Sequence, residues 1–119
     1  MLLISIKSVA QSDSVELREY RSFEKYNPAT KKYEPQPGGK VVVCNYTTGF
    51  VIVRGKNDLG ESYKITNDTK AAKHWVIEGD NQKSKSKCKM DMYKDAVYNY
   101  FKCECADGSK FILKEPLKN

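Results

Sequence analysis

The chain predicts a mainly β protein: an antiparallel meander forming a small barrel or a curled sheet, with at most one or two short helices. Three observations carry this expectation. Runs of β-branched and aromatic residues, bounded by polar turns, recur along the chain. The turns between them are short and rich in Gly, Asn, Asp and Pro, which favours consecutive antiparallel strands. No segment supplies a long crossover helix, so a parallel α/β fold and its phosphate loops are disfavoured, and no GxGxxG or P-loop pattern occurs.

The elements follow in order. Leu2–Val9 is an apolar first strand. Val15–Tyr26 reads as extended, with Val15, Leu17 and Phe23 alternating with charged residues, although a helix competes over the same stretch. Asn27-Pro28-Ala29-Thr30 between two Tyr-bearing arms reads as a hairpin turn, because Pro presets φ and Asn favours the first turn position. After the loop Pro35-Gln36-Pro37-Gly38-Gly39, the runs KVVVCNY and FVIVRG flank Thr47-Thr48-Gly49, the clearest hairpin in the chain and the expected centre of the core. Glu61–Thr66 is a further strand with Tyr63 and Ile65 on one face. Asp68–Lys73 is the best local helix signal, with an Asp cap and two alanines, before Trp75-Val76-Ile77 resumes the β pattern. Val97–Cys105 and Phe111–Lys114 flank Ala106-Asp107-Gly108-Ser109, an Asp-Gly hairpin turn. About nine strands are expected.

A chain of 119 residues with no interdomain linker or internal repeat makes one domain, 1–119. At this length a core forms without help from disulfides or metal. No apolar run approaches the roughly 20 residues of a membrane span, and no membrane partner is expected. The formal net charge of +6 divides evenly. Residues 1–60 hold 9 basic and 6 acidic side chains and residues 61–119 hold 12 and 9, so each half carries +3 and there is no basic tail. Arginine stands only at 18, 21 and 54, which argues against bidentate, sequence-specific reading of duplex DNA. Ser8-Val9-Ala10 has a small-x-small form, yet the stretch before it lacks a basic region and is short for a signal peptide. An intracellular, cytoplasmic setting is therefore the expectation. Two sequons, at Asn45 and Asn67, and four cysteines keep a secreted setting as the alternative.

Several residues stand out for chemistry. Lys83, Lys85, Lys87 and Lys89 recur at every second position; on a strand they would project from one face and could track a phosphate backbone, with Tyr98 and Tyr100 as stacking partners. The competing reading is an edge or loop kept in solution by lysine. Cys103 and Cys105 alternate with Phe101 toward a core; two apart on a strand, they lie at about the 7 Å limit for a bridge, so oxidation would sooner join one of them to Cys88 or Cys44. His74, Cys88, Cys103 and Cys105 form a formal Cys₃His set for zinc. Their spacing lacks the two-residue gap of zinc knuckles, so no metal and no cofactor are expected. His74 is the only imidazole, and no cysteine lies in a setting that would lower its pKa, so catalysis has little support. Tyr20, Tyr26 and Tyr33 alternate with charged residues near the first hairpin and are the expected exposed contacts for a protein partner.

These features converge on a non-enzymatic macromolecular binding module, foremost a small protein-interaction or inhibitor/effector domain. A single-stranded nucleic-acid binder is the second reading, and a secreted, disulfide-bonded effector the third.

Overall fold

Neighbouring β-branched runs satisfy their backbone groups by pairing, and here they do so in one continuous sheet. The structure, a computed structural model, describes residues 15–117; the expected strand Leu2–Val9 and the Ser8-Val9-Ala10 stretch lie outside them. Ten strands follow in chain order: β1 (Val15–Tyr20), β2 (Ser22–Asn27), β3 (Lys32–Gln36), β4 (Lys40–Asn45), β5 (Phe50–Arg54), β6 (Glu61–Lys70), β7 (His74–Asn81), β8 (Lys87–Lys94), β9 (Tyr98–Cys105) and β10 (Lys110–Pro116). They form one antiparallel curled half-barrel in the order β1-β4-β5-β6-β7-β8-β9-β10-β2-β3. From β4 to β10 this is the expected meander.

The curl is produced by a bend. β1 and β2 are consecutive, separated only by Arg21, yet β1 pairs with β4 and β2 pairs with β10, so one chain segment serves both ends of the meander. Glu115 clamps the bend, accepting from the Arg21 backbone N–H at 2.8 Å and from its guanidinium at 3.1 Å. Gly39 passes directly over it. A Cβ there would lie 2.1 Å from the Tyr20 carbonyl oxygen, so only glycine allows the two backbones to cross.

The concave face holds the core: Val42 and Cys44 on β4, Val51 and Val53 on β5, Tyr63 on β6, Trp75 and Ile77 on β7, Met90 and Met92 on β8, Phe101 and Cys103 on β9, and Leu113 on β10. Strict alternation places each of these by period two, as expected for Phe101 and Cys103.

Two parts of the expectation change. First, β1 presents Glu16, Arg18 and Tyr20 to the interior, because they register with Cys44, Val42 and Lys40, while Val15 and Leu17 are left 49% and 60% exposed. The inward set then runs 16, 18, 20 and 23, so the alternation skips a residue at the bend and Phe23 still faces inward. Tyr20, expected as an exposed contact, is therefore a core residue at 3% exposure. Second, the described residues contain no helix. Asp68, Thr69 and Lys70 continue β6 past a bulge at Ile65/Asn67, because pairing with Ile77, Val76 and Trp75 satisfies their backbones, and six residues are too few to nucleate a helix alone. The Asp68 carboxylate accepts the Trp75 indole N–H instead of capping a helix.

Candidate functional site

The thiols are brought together by register. Cys88 on β8 and Cys105 on β9 are directly opposed and joined by a disulfide, with Cα atoms 4.0 Å apart. This is one of the pairings the strand spacing favours over Cys103–Cys105. Cys103, two residues back on the same face of β9, puts its sulfur 3.9 Å from that of Cys105. All three sulfurs lie within 4.8 Å. Cys44 is the other free thiol and is buried on β4.

Burial pushes the Cys103 thiol up to about 12 and the Cys44 thiol up to about 11. Near neutral pH both are protonated, and neither is an activated nucleophile. His74 does not join the sulfurs. In the β7–β8 ladder it pairs with Tyr93, whereas Cys88 pairs with Gly79 five rows away, a separation of roughly 17 Å along the strands. Its Nε2 is instead 2.8 Å from the Asp91 carboxylate on the outer face. The formal Cys₃His set thus resolves into a bridge, one neighbouring thiol and a distant imidazole.

The lysine strip is divided by a turn. Asn81 is buried, and its Oδ1 accepts the backbone N–H groups of Lys83 and Ser84 while its carbonyl accepts that of Lys85, which adopts φ 64°. Lys83 and Lys85 consequently sit on the β7–β8 turn, and only Lys87 and Lys89 share the outer face of β8. The repeat KSKSK mimics strand period while the preceding Asn sets up a turn. Acids oppose the two strand lysines: Lys87 is registered with Asp80, and Lys89 stands between Glu78 and Glu104. The row continues to Lys110. Alternating charge across strands suits an exposed sheet face, and it leaves no four-lysine ladder for a phosphate backbone.

Next to these rows the outer face is aromatic. Tyr98 and Tyr100 do lie on one side of β9, with centroids 5.9 Å apart, and Tyr93 of β8 stacks on Tyr100 at 4.9 Å and 23°. The His74 ring meets the edge of Tyr93 at 5.8 Å, and the Lys114 ammonium lies 5.8 Å from the Tyr98 centroid. Asp95 fixes the end of this cluster: its Oδ1 accepts the Val97 and Tyr98 N–H groups and its Oδ2 accepts the Tyr100 hydroxyl at 2.9 Å. Across β10, Tyr26 and Tyr33 form an edge-on pair at 5.2 Å, with Lys110 over Tyr26 at 4.8 Å. Two of the three expected contact tyrosines are thus on the surface, and Tyr93 adds itself to Tyr98 and Tyr100 through cross-strand register.

The chain matches no protein-family model and no curated protein. A pre-stacked row of phenols offers rigid apolar area with hydroxyls at its margin, which suits recognition of another macromolecule at small entropic cost.

Proposed function

We propose that this protein is a non-catalytic protein-binding module that engages its partner through the outer face of β8–β10 and the β2–β3 hairpin. The observation that carries the reading is the Tyr93–Tyr100–Tyr98 row, stacked across two strands on the solvent side of the sheet. Its surroundings favour a protein over a nucleic acid. The neighbouring charges alternate, with Glu78, Lys89, Glu104 and Lys110 in one row and Asp91 beside Lys102 in the next, so the face is polar without being strongly positive.

The Cys88–Cys105 bridge supports a setting in which disulfides persist, which shifts the balance from a cytoplasmic protein to a secreted effector. The same bridge is compatible with a binding role, since it ties together the two strands that carry the tyrosine row.

The test pairs two assays on the full chain. Partner capture with the wild type is compared with capture by Tyr98→Ser/Tyr100→Ser, and we expect the captured partner to be lost, or held about tenfold more weakly, with the fold intact by circular dichroism. In parallel, polarisation of a labelled oligo-dT is followed between about 50 and 200 mM salt, where no tight binding is expected. Capture that survives the double substitution would place the interface elsewhere. Oligonucleotide binding that falls steeply with salt would instead favour the nucleic-acid reading.

A further inference from the structure

We propose that the end of the half-barrel beneath the β6–β7 turn is a binding site for a small organic phosphate, adjoining the tyrosine face at Tyr93. A cleft of about 310 Å³ opens there, within the size range of small-molecule sites. Four basic side chains line it: Arg18 from β1, Lys70 at the end of β6, Lys73 in the turn and Lys94 at the end of β8, with His74 and Tyr93 beside them. Trp75 and Met92 lie beneath it, both buried; the Trp75 ring stacks on Tyr46 at 5.7 Å and is overlaid by the Lys70 ammonium at 4.6 Å. The turn residues Ala71 and Ala72 add only methyl groups to the lining.

No carboxylate lines this cleft. The nearest ones are already engaged. Glu16 holds Arg18 at 3.2 Å and reaches Lys70 only at 4.0 Å, Asp68 accepts the Trp75 indole, and Asp91 holds His74. Lys73 and Lys94 make no ion pair among the described residues. This differs from the rest of the sheet, where Lys87 and Lys89 stand opposite acids on neighbouring strands and Lys114 pairs with Glu24 at 3.0 Å. Like charges gathered over a low-dielectric floor concentrate positive potential at the mouth, and an anion relieves their mutual repulsion. Lysines serve phosphate as point charges and the arginine fork can take two of its oxygens, while the partly exposed Tyr93 ring at the cleft wall can take the organic part of a phosphate monoester.

Trp75 is the only tryptophan in the chain and forms part of the site, so its emission reports on occupancy. The probes are phenyl phosphate, inorganic phosphate and phenol, each titrated into the full-length protein and followed by Trp75 fluorescence and calorimetry. Saturable binding of phenyl phosphate is expected, with inorganic phosphate weaker and phenol without effect. Lys73→Gln/Lys94→Gln should weaken phenyl phosphate by about tenfold or more, while Lys32→Gln/Lys83→Gln, which removes the same charge far from the cleft, should leave it unchanged within about twofold. Tyr93 is kept intact so that the tyrosine row is undisturbed. Absence of saturable binding up to about 10 mM by either readout overturns the proposal. So does equal weakening by the two double variants, which would reduce the effect to net charge, and so does phenol binding as well as phenyl phosphate.

Discussion

Tyr20 illustrates what a residue's neighbours can overrule. In the sequence it stands among Glu19, Arg18 and Arg21 and looks exposed. The bend at Arg21 turns it inward, where its ring meets Phe101 at 6.1 Å and its buried hydroxyl faces the Arg18 guanidinium without a well-formed hydrogen bond. An unpaired buried hydroxyl costs stability, whereas the ring contributes packing. Tyr20→Phe should therefore leave the urea midpoint unchanged or raise stability by up to about 1 kcal/mol, while Tyr20→Ala should cost about 3–5 kcal/mol. A loss above about 1.5 kcal/mol in Tyr20→Phe would show that the hydroxyl is satisfied in solution. Glu16 and Arg18 were equally illegible as inner-face residues: they are tolerated there because their side chains stay partly exposed and pair with each other, and because Arg18 lies 5.5 Å from the Trp75 ring centroid.

Among the elements, β8 and β9 are the most informative pair. Their register joins Cys88 to Cys105, stacks Tyr93 on Tyr100, and sets Lys89 against Glu104. The bridge closes a loop with sequence separation 17, which by chain entropy contributes about 3 kcal/mol. Cys88→Ala/Cys105→Ala should thus lose about 3 kcal/mol in urea denaturation yet keep its β-sheet circular dichroism, since the ladder on either side remains. Unchanged stability would mean that the bridge does not form in solution. The strand character of these segments and the preference for a Cys88 or Cys44 partner were readable from period two and spacing. The division of KSKSK by the Asn81 turn was not, because a turn and an exposed strand end share the same small, polar residues.

For the whole molecule, buried thiols and capped turns define a pH window. Cys44 and Cys103 have folded values raised to about 11 and about 12 from 9.0, so the stability they confer is fully present below pH about 9. As pH rises toward the folded values it is lost at about 1.4 kcal/mol per pH unit for each thiol. Burial also raises Tyr20, Tyr46 and Tyr63, which adds to the alkaline loss above pH about 10. On the acid side the sign reverses. Backbone N–H donors hold Asp58 and Asp95 below the usual carboxylate value, and the Ser109 side chain and N–H do the same for Asp107. Their contribution is present above pH about 4 and disappears as pH falls through the folded values. Urea midpoints measured across pH should be level from about 5 to 8.5 and fall on both sides, and a midpoint that keeps rising above pH about 9.5 would contradict the burial of the two thiols.

Local chemistry alone sufficed for the mainly β meander, its hairpins at Asn27–Thr30, Thr47–Gly49 and Ala106–Ser109, and the alternation that sends Phe101 and Cys103 inward. These depend on neighbours within a few residues, and period two is visible in one dimension. Pairing across the sheet decided the rest. The bend that gives β1 and β2 different partners, the reversed face of β1, the extension of β6 through Asp68–Lys70, the separation of His74 from the sulfurs, and the gathering of Arg18, Lys70, Lys73 and Lys94 all arise from contacts between residues distant in sequence. Register is a property of two strands together, and a one-residue shift at a bend or bulge exchanges core for surface without any local signal.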